Sequence, residues 1–312
     1  TWFLYSMHRR GAEIADLVHD YTRQMTVLQV TAGYFTCLSL EEYQRALDTQ
    51  IKAAEALLEE MDALSDEGLI SDWQVDQVRV LTQSRRLELH RTSRARAEAR
   101  AELLTAMGLS PMAELTLEPQ TPLEPTAGSL EERITDALLN HPSLQIADRK
   151  IAIEQEKVKT AISNFLPTLL GFASWTDSSD SFLKYSEYWT GGLAATMTVF
   201  NGFANINEYK AARQRRQESF IEREQATLAV MLEVIRAHQS LQNARDQVAL
   251  AQSVLDVASK RFTEVRQKWE EGFVGSPEML EMTAERGRAR MQAIRSRYQY
   301  QISIATLLNA MG

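Results

Sequence analysis

The side chains that most often carry chemistry are thinly spread along this chain. Five histidines, His8, His19, His90, His141 and His238, stand too far apart and at the wrong spacings to hold a metal. The one cysteine, Cys37, cannot form an internal disulfide, and its place in a helical apolar pattern reads as a small packing residue. No P-loop, no G-x-G-x-x-G and no G-x-S-x-G element is present. The basic run ARQRRQ, ending at Gln217, reads as a solvated helix face. Glu278 and Glu281 fall in the first turns of a helix, where carboxylates are favoured by the N-terminal dipole. This distribution argues against an enzyme and against a resident cofactor or metal.

The bulk properties agree with that reading. A hydrophobic share of 44% and a charged share of 24% belong to a folded chain of 312 residues, and a net charge of −8 argues against nucleic-acid binding. No run approaches the ~18 apolar residues of a membrane-spanning helix. The first residue is Thr and no signal peptide precedes it, so the sequence reads as a mature or truncated form.

The elements that position these residues are marked by glycine and proline. Residues Phe203–Glu271 contain neither. Strong helix formers fill the spaces between breakers, predicting helices over 3–66, 70–107, 129–165, 203–270 and 277–311, with Pro142 interrupting the third. Ser129 and Glu132 form a capping box at its start. In the longest helix Val234, Leu241, Val248, Leu255 and Phe262 recur every seventh residue. Ala237, Ala244, Ala251, Ala258 and Val265 recur three places later. That is a coiled-coil seam, and at 1.5 Å per residue the helix would extend roughly 100 Å, as a strut.

The seam repeats at an offset of 204 residues, which carries Gly68 onto Gly272, Gly108 onto Gly312, and Arg86 and Arg91 onto Arg290 and Arg295. Val30, Cys37, Ile51 and Leu58 take one seam position, with Gln44 as an exception; Gly33, Leu40, Leu47, Ala54 and Met61 take the other. Each repeat is a long helix, a glycine tip and a shorter antiparallel helix, and both tips are predicted at the same end. Repeat one spans 1–108, a proline-rich linker 109–128, and repeat two 129–312.

Between Pro167 and Gly202 the period shifts to two. Strand-like runs at 168–176 and 189–199 are joined by the polar DSSDSFLKYSEY. Leu193, Ala195, Met197 and Val199 alternate with Ala194, Thr196 and Thr198, and Trp175, Tyr188, Trp189 and Phe200 mark the edges. Such lengths and aromatic borders suit tilted transmembrane β-strands. A lone hairpin must join a larger sheet, and in lipid that sheet must close.

HPSLQIADRKIAIEQEKVKTAISNFLPTLLGFASW, then VFNGF opening the long helix, then EEGFVGSPEML and a closing LLNAMG, resemble the TolC-like outer-membrane efflux proteins. VTAGYFTCL, DEGLISDWQV and LLTAMGLSP agree in repeat one. The likeness covers nearly the whole chain and rests on order and spacing rather than on one motif. It implies a mainly α fold with a small β part. Long coiled helices would form a periplasmic α-barrel, and four strands from each of three protomers a 12-stranded barrel in the outer membrane of a Gram-negative bacterium. Thr1 aligns with Asn205, so this chain holds two of those strands.

The implied function is an exit duct for efflux or type I secretion. Its implied partners are two further copies, a periplasmic adaptor, an inner-membrane transporter and outer-membrane lipid. The resemblance places adaptor contacts at Gly68, Leu69, Ile70 and Ser71 and at Gly272, Phe273, Val274 and Gly275. It also implies a pore gate at Glu278, Glu281 and the aromatic Trp269, and membrane strands around Trp175, Trp189, Leu193, Ala195, Met197 and Val199. Three copies of the two glutamates would put six carboxylates round a narrow pore, where mutual repulsion raises some pKa values and cations are attracted. Family members often carry Asp there, and Gln74 at the corresponding place of the first tip breaks the symmetry of such a ring. A soluble coiled-coil scaffold is the alternative reading of the heptads.

Overall fold

The computed structural model describes residues 2–118, 121–125, 127–177 and 187–312. Pro119 and most of the polar connection between the two strands lie outside the described residues. Among the described residues six helices and two strands follow in the order α1 (Trp2–Asp66), α2 (Asp72–Ala106), α3 (Leu130–Asn140), α4 (Pro142–Ser163), β1 (Thr168–Asp177), β2 (Glu187–Thr196), α5 (Ala204–Glu270) and α6 (Ser276–Met311). Helix ends depart from expectation where the backbone requires it. The residue before a proline avoids the helical region, so α3 stops at Asn140 with His141 extended at φ −63°, ψ 124°, and α4 restarts on Pro142. Gly202 and Phe203 both take positive φ, so α5 starts at Ala204. The Ser129–Glu132 box forms as predicted, with Glu132 N–H donating to Ser129 Oγ at 3.2 Å and Ser129 N–H to Glu132 Oε2 at 2.8 Å.

The chain divides into two compact units that cut across the sequence repeat: residues 1–20 with 142–229, and residues 21–141 with 230–312. In the first, the β1–β2 hairpin stands on α4 and α5, where Val158 and Ala161 pack on Ala212 and Tyr209. Asn205 Nδ2 donates to the Asn164 carbonyl at 2.9 Å, and Asn164 Nδ2 to Glu208 Oε2 at 3.0 Å, tying the two helix ends together below the hairpin. Arg149 of α4 pairs with Glu13 of α1 at 2.8 Å, and Arg223 of α5 with Asp148 at 3.1 Å.

The second unit holds the larger core. The seam alanines of α5, Ala237, Ala244, Ala251 and Ala258, are all buried together with Val234, Leu241, Phe262 and Val265, while Val248 and Leu255 are half-buried. In α1, Cys37, Leu47, Ile51, Ala54 and Met61 are buried on the expected seam. Ala46 and Leu57 are buried outside it, because α1 packs on both α2 and α6 here. Ala46 and Leu47 pack on Met291 and Ile294 of α6, and Leu57 and Met61 pack on Val75 and Val78 of α2. Cys37 lies with Ala99 and Leu103, and burial pushes its thiol pKa up, which fits a packing residue rather than a nucleophile. The linker after α2 is strapped down: Leu115 and Leu117 cover this cluster, and Arg100 donates to the Ala113 carbonyl at 2.7 Å. No helix among the described residues is long and apolar enough to cross a membrane.

Candidate functional site: paired helix tips and an apolar hairpin

Both tips are built by the same local device. Two residues past the ends of α1 and α5 stand Gly68 with φ 73° and Gly272 with φ 77°, the left-handed conformation that glycine adopts without a Cβ penalty. Gly68 N–H donates to the Ser65 carbonyl and Leu69 N–H to Leu64, at 2.9 Å each. Gly272 N–H donates to Trp269 at 2.9 Å and Phe273 N–H to Lys268 at 2.8 Å. These paired bonds are the Schellman closure of a helix C-terminus.

The next two residues divide the work identically in each tip. Leu69 and Phe273 project into solvent, 67% and 78% exposed. Ile70 and Val274 turn inward onto Val75 and Met279, four residues past the N-caps Ser71 and Gly275, which is a hydrophobic staple. The eight tip positions therefore present one exposed apolar side chain per tip on a fixed backbone.

The structure brings the two tips together. Gln74 accepts from Ser71 N–H at 2.9 Å through Oε1 and donates from Nε2 to Ser276 Oγ at 2.8 Å, with Ser276 only 2% exposed. Leu280 of α6 packs into the Leu57–Met61–Val75–Val78 cluster of the first tip. Trp269 lies against Phe262, Val265, Met279 and Met282, and its indole N–H donates to Glu60 Oε1 of α1 at 3.2 Å. Gln74, which only marked an asymmetry in the sequence, is thus the bolt between the hairpins. Its Ser-x-x-Gln spacing from Ser71 was the available signal; its bond to Ser276, 202 residues on, had none.

Glu278 and Glu281 are exposed at the start of α6, while the adjacent Met279 and Met282 are buried. One turn on, Glu285 takes both oxygens to Arg261 at 3.1 Å. Arg286 stacks over the Phe262 ring at 3.4 Å from its centroid, and desolvation holds its pKa below the usual arginine range.

The hairpin has a single antiparallel register, from Thr168 opposite Thr196 to Asp177 opposite Glu187. Met197 and Val199, expected as strand residues, lie beyond its last pair. Their partners would be Pro167, which has no N–H to give, and the turn before it. Trp175 and Trp189 face each other in register with rings 5.1 Å apart, edge to face. One face carries Leu169, Gly171, Ala173 and Trp175 opposite Ala195, Leu193, Gly191 and Trp189, without a hydroxyl between Leu169 and Trp175. The other carries Thr168, Leu170, Phe172, Ser174 and Thr176 opposite Thr196, Ala194, Gly192, Thr190 and Tyr188. Both faces are open: Leu193 is 93% exposed on the first, and Leu170 56% on the second. The Phe172 ring lies over Gly192, where an added Cβ would meet it at 2.8 Å.

Comparison with known proteins accounts for this arrangement. The fold matches the crystal structure of a membrane protein from Pseudomonas aeruginosa with a TM-score of 0.88 at 16% identity, covering 99% of this chain and 72% of that one. It matches the Campylobacter jejuni CmeC outer membrane channel at 0.85 and 17%, covering 99% and 67%. The open state of the Neisseria gonorrhoeae MtrE outer membrane channel gives 0.85 and 18%, covering 98% and 70%. At these identities the likeness speaks for the fold. Among curated proteins none matches the chain. The sequence profile described as "Outer membrane efflux protein" matches residues 134–312, more than half of the chain, from α3 through the hairpin to the last glycine. This chain belongs to the outer membrane efflux protein family and is a protein of the Gram-negative outer membrane.

Proposed function

We propose that the chain is one protomer of a trimeric exit duct for efflux or type I secretion, with its helices in the periplasm, working with an inner-membrane pump and a periplasmic adaptor. Repeat one over 1–108, the linker 109–128 and repeat two over 129–312 supply its two coiled-coil hairpins. The observation that carries this reading is the hairpin. A two-stranded ladder with apolar side chains open on both faces is not stable in water by itself. It requires lipid on one side and neighbouring strands at its edges. A soluble coiled-coil scaffold leaves those faces without cover.

The exposed Leu69 and Phe273, set on Gly68–Ser71 and Gly272–Gly275, are the adaptor contacts in this reading. Glu278, Glu281 and the aromatic Trp269 form the pore gate in this reading, with Trp269 fixed to α1 by its bond to Glu60. Detergent-extracted protein is then a trimer with mixed α and β circular dichroism; a water-soluble dimer with a purely helical spectrum contradicts the proposal. Glu278→Gln combined with Glu281→Gln reduces block of single-channel conductance by multivalent cations in planar bilayers. Unchanged block removes the two glutamates from the gate.

A further inference from the structure

A groove of about 430 Å³ opens between α1, α2 and α6 in the second unit, away from both tips. That volume lies within the range of small-molecule sites. Phe35 and Tyr43 of α1 and Tyr298 and Ile302 of α6 form its apolar walls, and Arg91 of α2 and Arg295 of α6 stand at its edges. The two arginines are related by the 204-residue repeat, so the two repeats bring equivalent guanidinium groups to one place.

The charges around the groove are unequally matched. The Tyr43 hydroxyl donates to Glu88 Oε1 at 2.6 Å while Arg85 holds Glu88 Oε2 at 2.8 Å. The Tyr298 hydroxyl donates to Glu42 at 3.0 Å, and Arg297 pairs with the same carboxylate. Both nearby carboxylates are therefore taken by a phenol and a different arginine. Among the described residues Arg91 and Arg295 have no ion pair, and both are exposed. A chain of net charge −8 thus brings two guanidinium groups without an ion pair among the described residues to a groove with an aromatic wall.

We propose that this groove binds a small organic anion, one carboxylate or sulfonate carried on an aromatic or aliphatic body. The anion would take charge-assisted hydrogen bonds from Arg91 and Arg295 while the body lies between Phe35, Tyr43 and Tyr298. Every residue lining the groove comes from a single protomer.

The test uses 1-anilinonaphthalene-8-sulfonate and its neutral analogue N-phenyl-1-naphthylamine. Each is titrated by fluorescence against the protein in zwitterionic nanodiscs, with empty discs subtracted. Arg91→Gln with Arg295→Gln is expected to weaken the sulfonate by roughly tenfold and leave the neutral analogue unchanged. Arg91→Lys with Arg295→Lys, which keeps the charge, retains most of the affinity. Ala95→Trp, from the exposed side of α2 into the groove, blocks both probes without touching charge. Glu278→Gln with Glu281→Gln leaves both unaffected, which separates this site from the gate. The proposal is overturned if the sulfonate shows no binding above empty discs. It is also overturned if affinity is equal in wild type, the double Gln variant and Ala95→Trp, which would place the probe on the hairpin. A double Gln variant that weakens both probes alike overturns recognition of the anion.

Discussion

At the scale of single residues, two side chains carry more than their types announce. Gln74 uses both ends of one amide, accepting from Ser71 N–H and donating to the buried Ser276 hydroxyl. Gln74→Ala removes a helix cap and leaves a buried hydroxyl unpaired, which together cost about 1–2 kcal/mol. Gln74→Glu keeps the acceptor and loses the donor, so it falls between. Faster amide hydrogen exchange at both 69–76 and 273–280 in Gln74→Ala is the expected readout; a change confined to the first tip would separate the hairpins energetically. His141 is buried between α3 and α4 with Tyr21 and Gly312 against it, and desolvation lowers its pKa, opposed weakly by Glu233. Above the ordinary imidazole pKa of 6.5 both folded and unfolded states are neutral and the stability of this site is fully present. As pH falls below that value the unfolded chain takes up the proton first, and stability is lost until the lower folded pKa is reached. The urea midpoint of wild type should therefore drop between pH 7.5 and 5.5, and that of His141→Gln should drop less.

At the scale of elements, the tips show how much a glycine decides. A Cβ at Gly272 would meet nothing within 4 Å, so the residue is held there by φ 77° alone. Gly272→Ala is expected to cost about 1–2 kcal/mol, and Gly272→Asn less, because Asn tolerates the left-handed region. The order of the two thermal midpoints checks the claim; equal losses would point to lost packing instead. Element type and order were legible because each depends on local pattern: breakers at Gly68, Pro142 and Gly272, a period of seven in α5, a period of two after Pro167. Less legible was the width of each buried face. Ala46 and Leu57 lie off the a/d seam, and a heptad describes one partner while α1 packs on both α2 and α6. Strand ends were also misjudged at Met197 and Val199, since alternation continues past Thr196 although the pairing partner does not. The tip glycines could be found from the repeat, but the Gln74–Ser276 and Trp269–Glu60 bonds join residues more than 200 positions apart and leave no local trace.

At the scale of the whole molecule, the question is what surrounds the hairpin. Register turns the alternation into two chemically different faces. The face of Leu169, Leu193, Trp175 and Trp189 has no hydroxyl between the leucines and the Trp175–Trp189 pair, whereas the opposite face carries Thr168, Ser174, Thr176, Thr190 and Thr196 beside Leu170 and Phe172. Lipid hydrocarbon should select the first face and an aqueous lumen the second. Leu193, opposite Gly171 near the middle of the ladder and almost fully exposed, is then the position most sensitive to charge. Leu193→Arg should cost about 2–4 kcal/mol of membrane stability and lower the amount of outer-membrane trimer, while Thr190→Arg, on the other face, should leave assembly intact and alter conductance. Quantifying trimer in outer-membrane fractions and recording single channels for both variants distinguishes the faces. If Thr190→Arg abolished assembly while Leu193→Arg did not, the faces would be assigned the wrong way round, and the ladder would turn its leucines to the lumen.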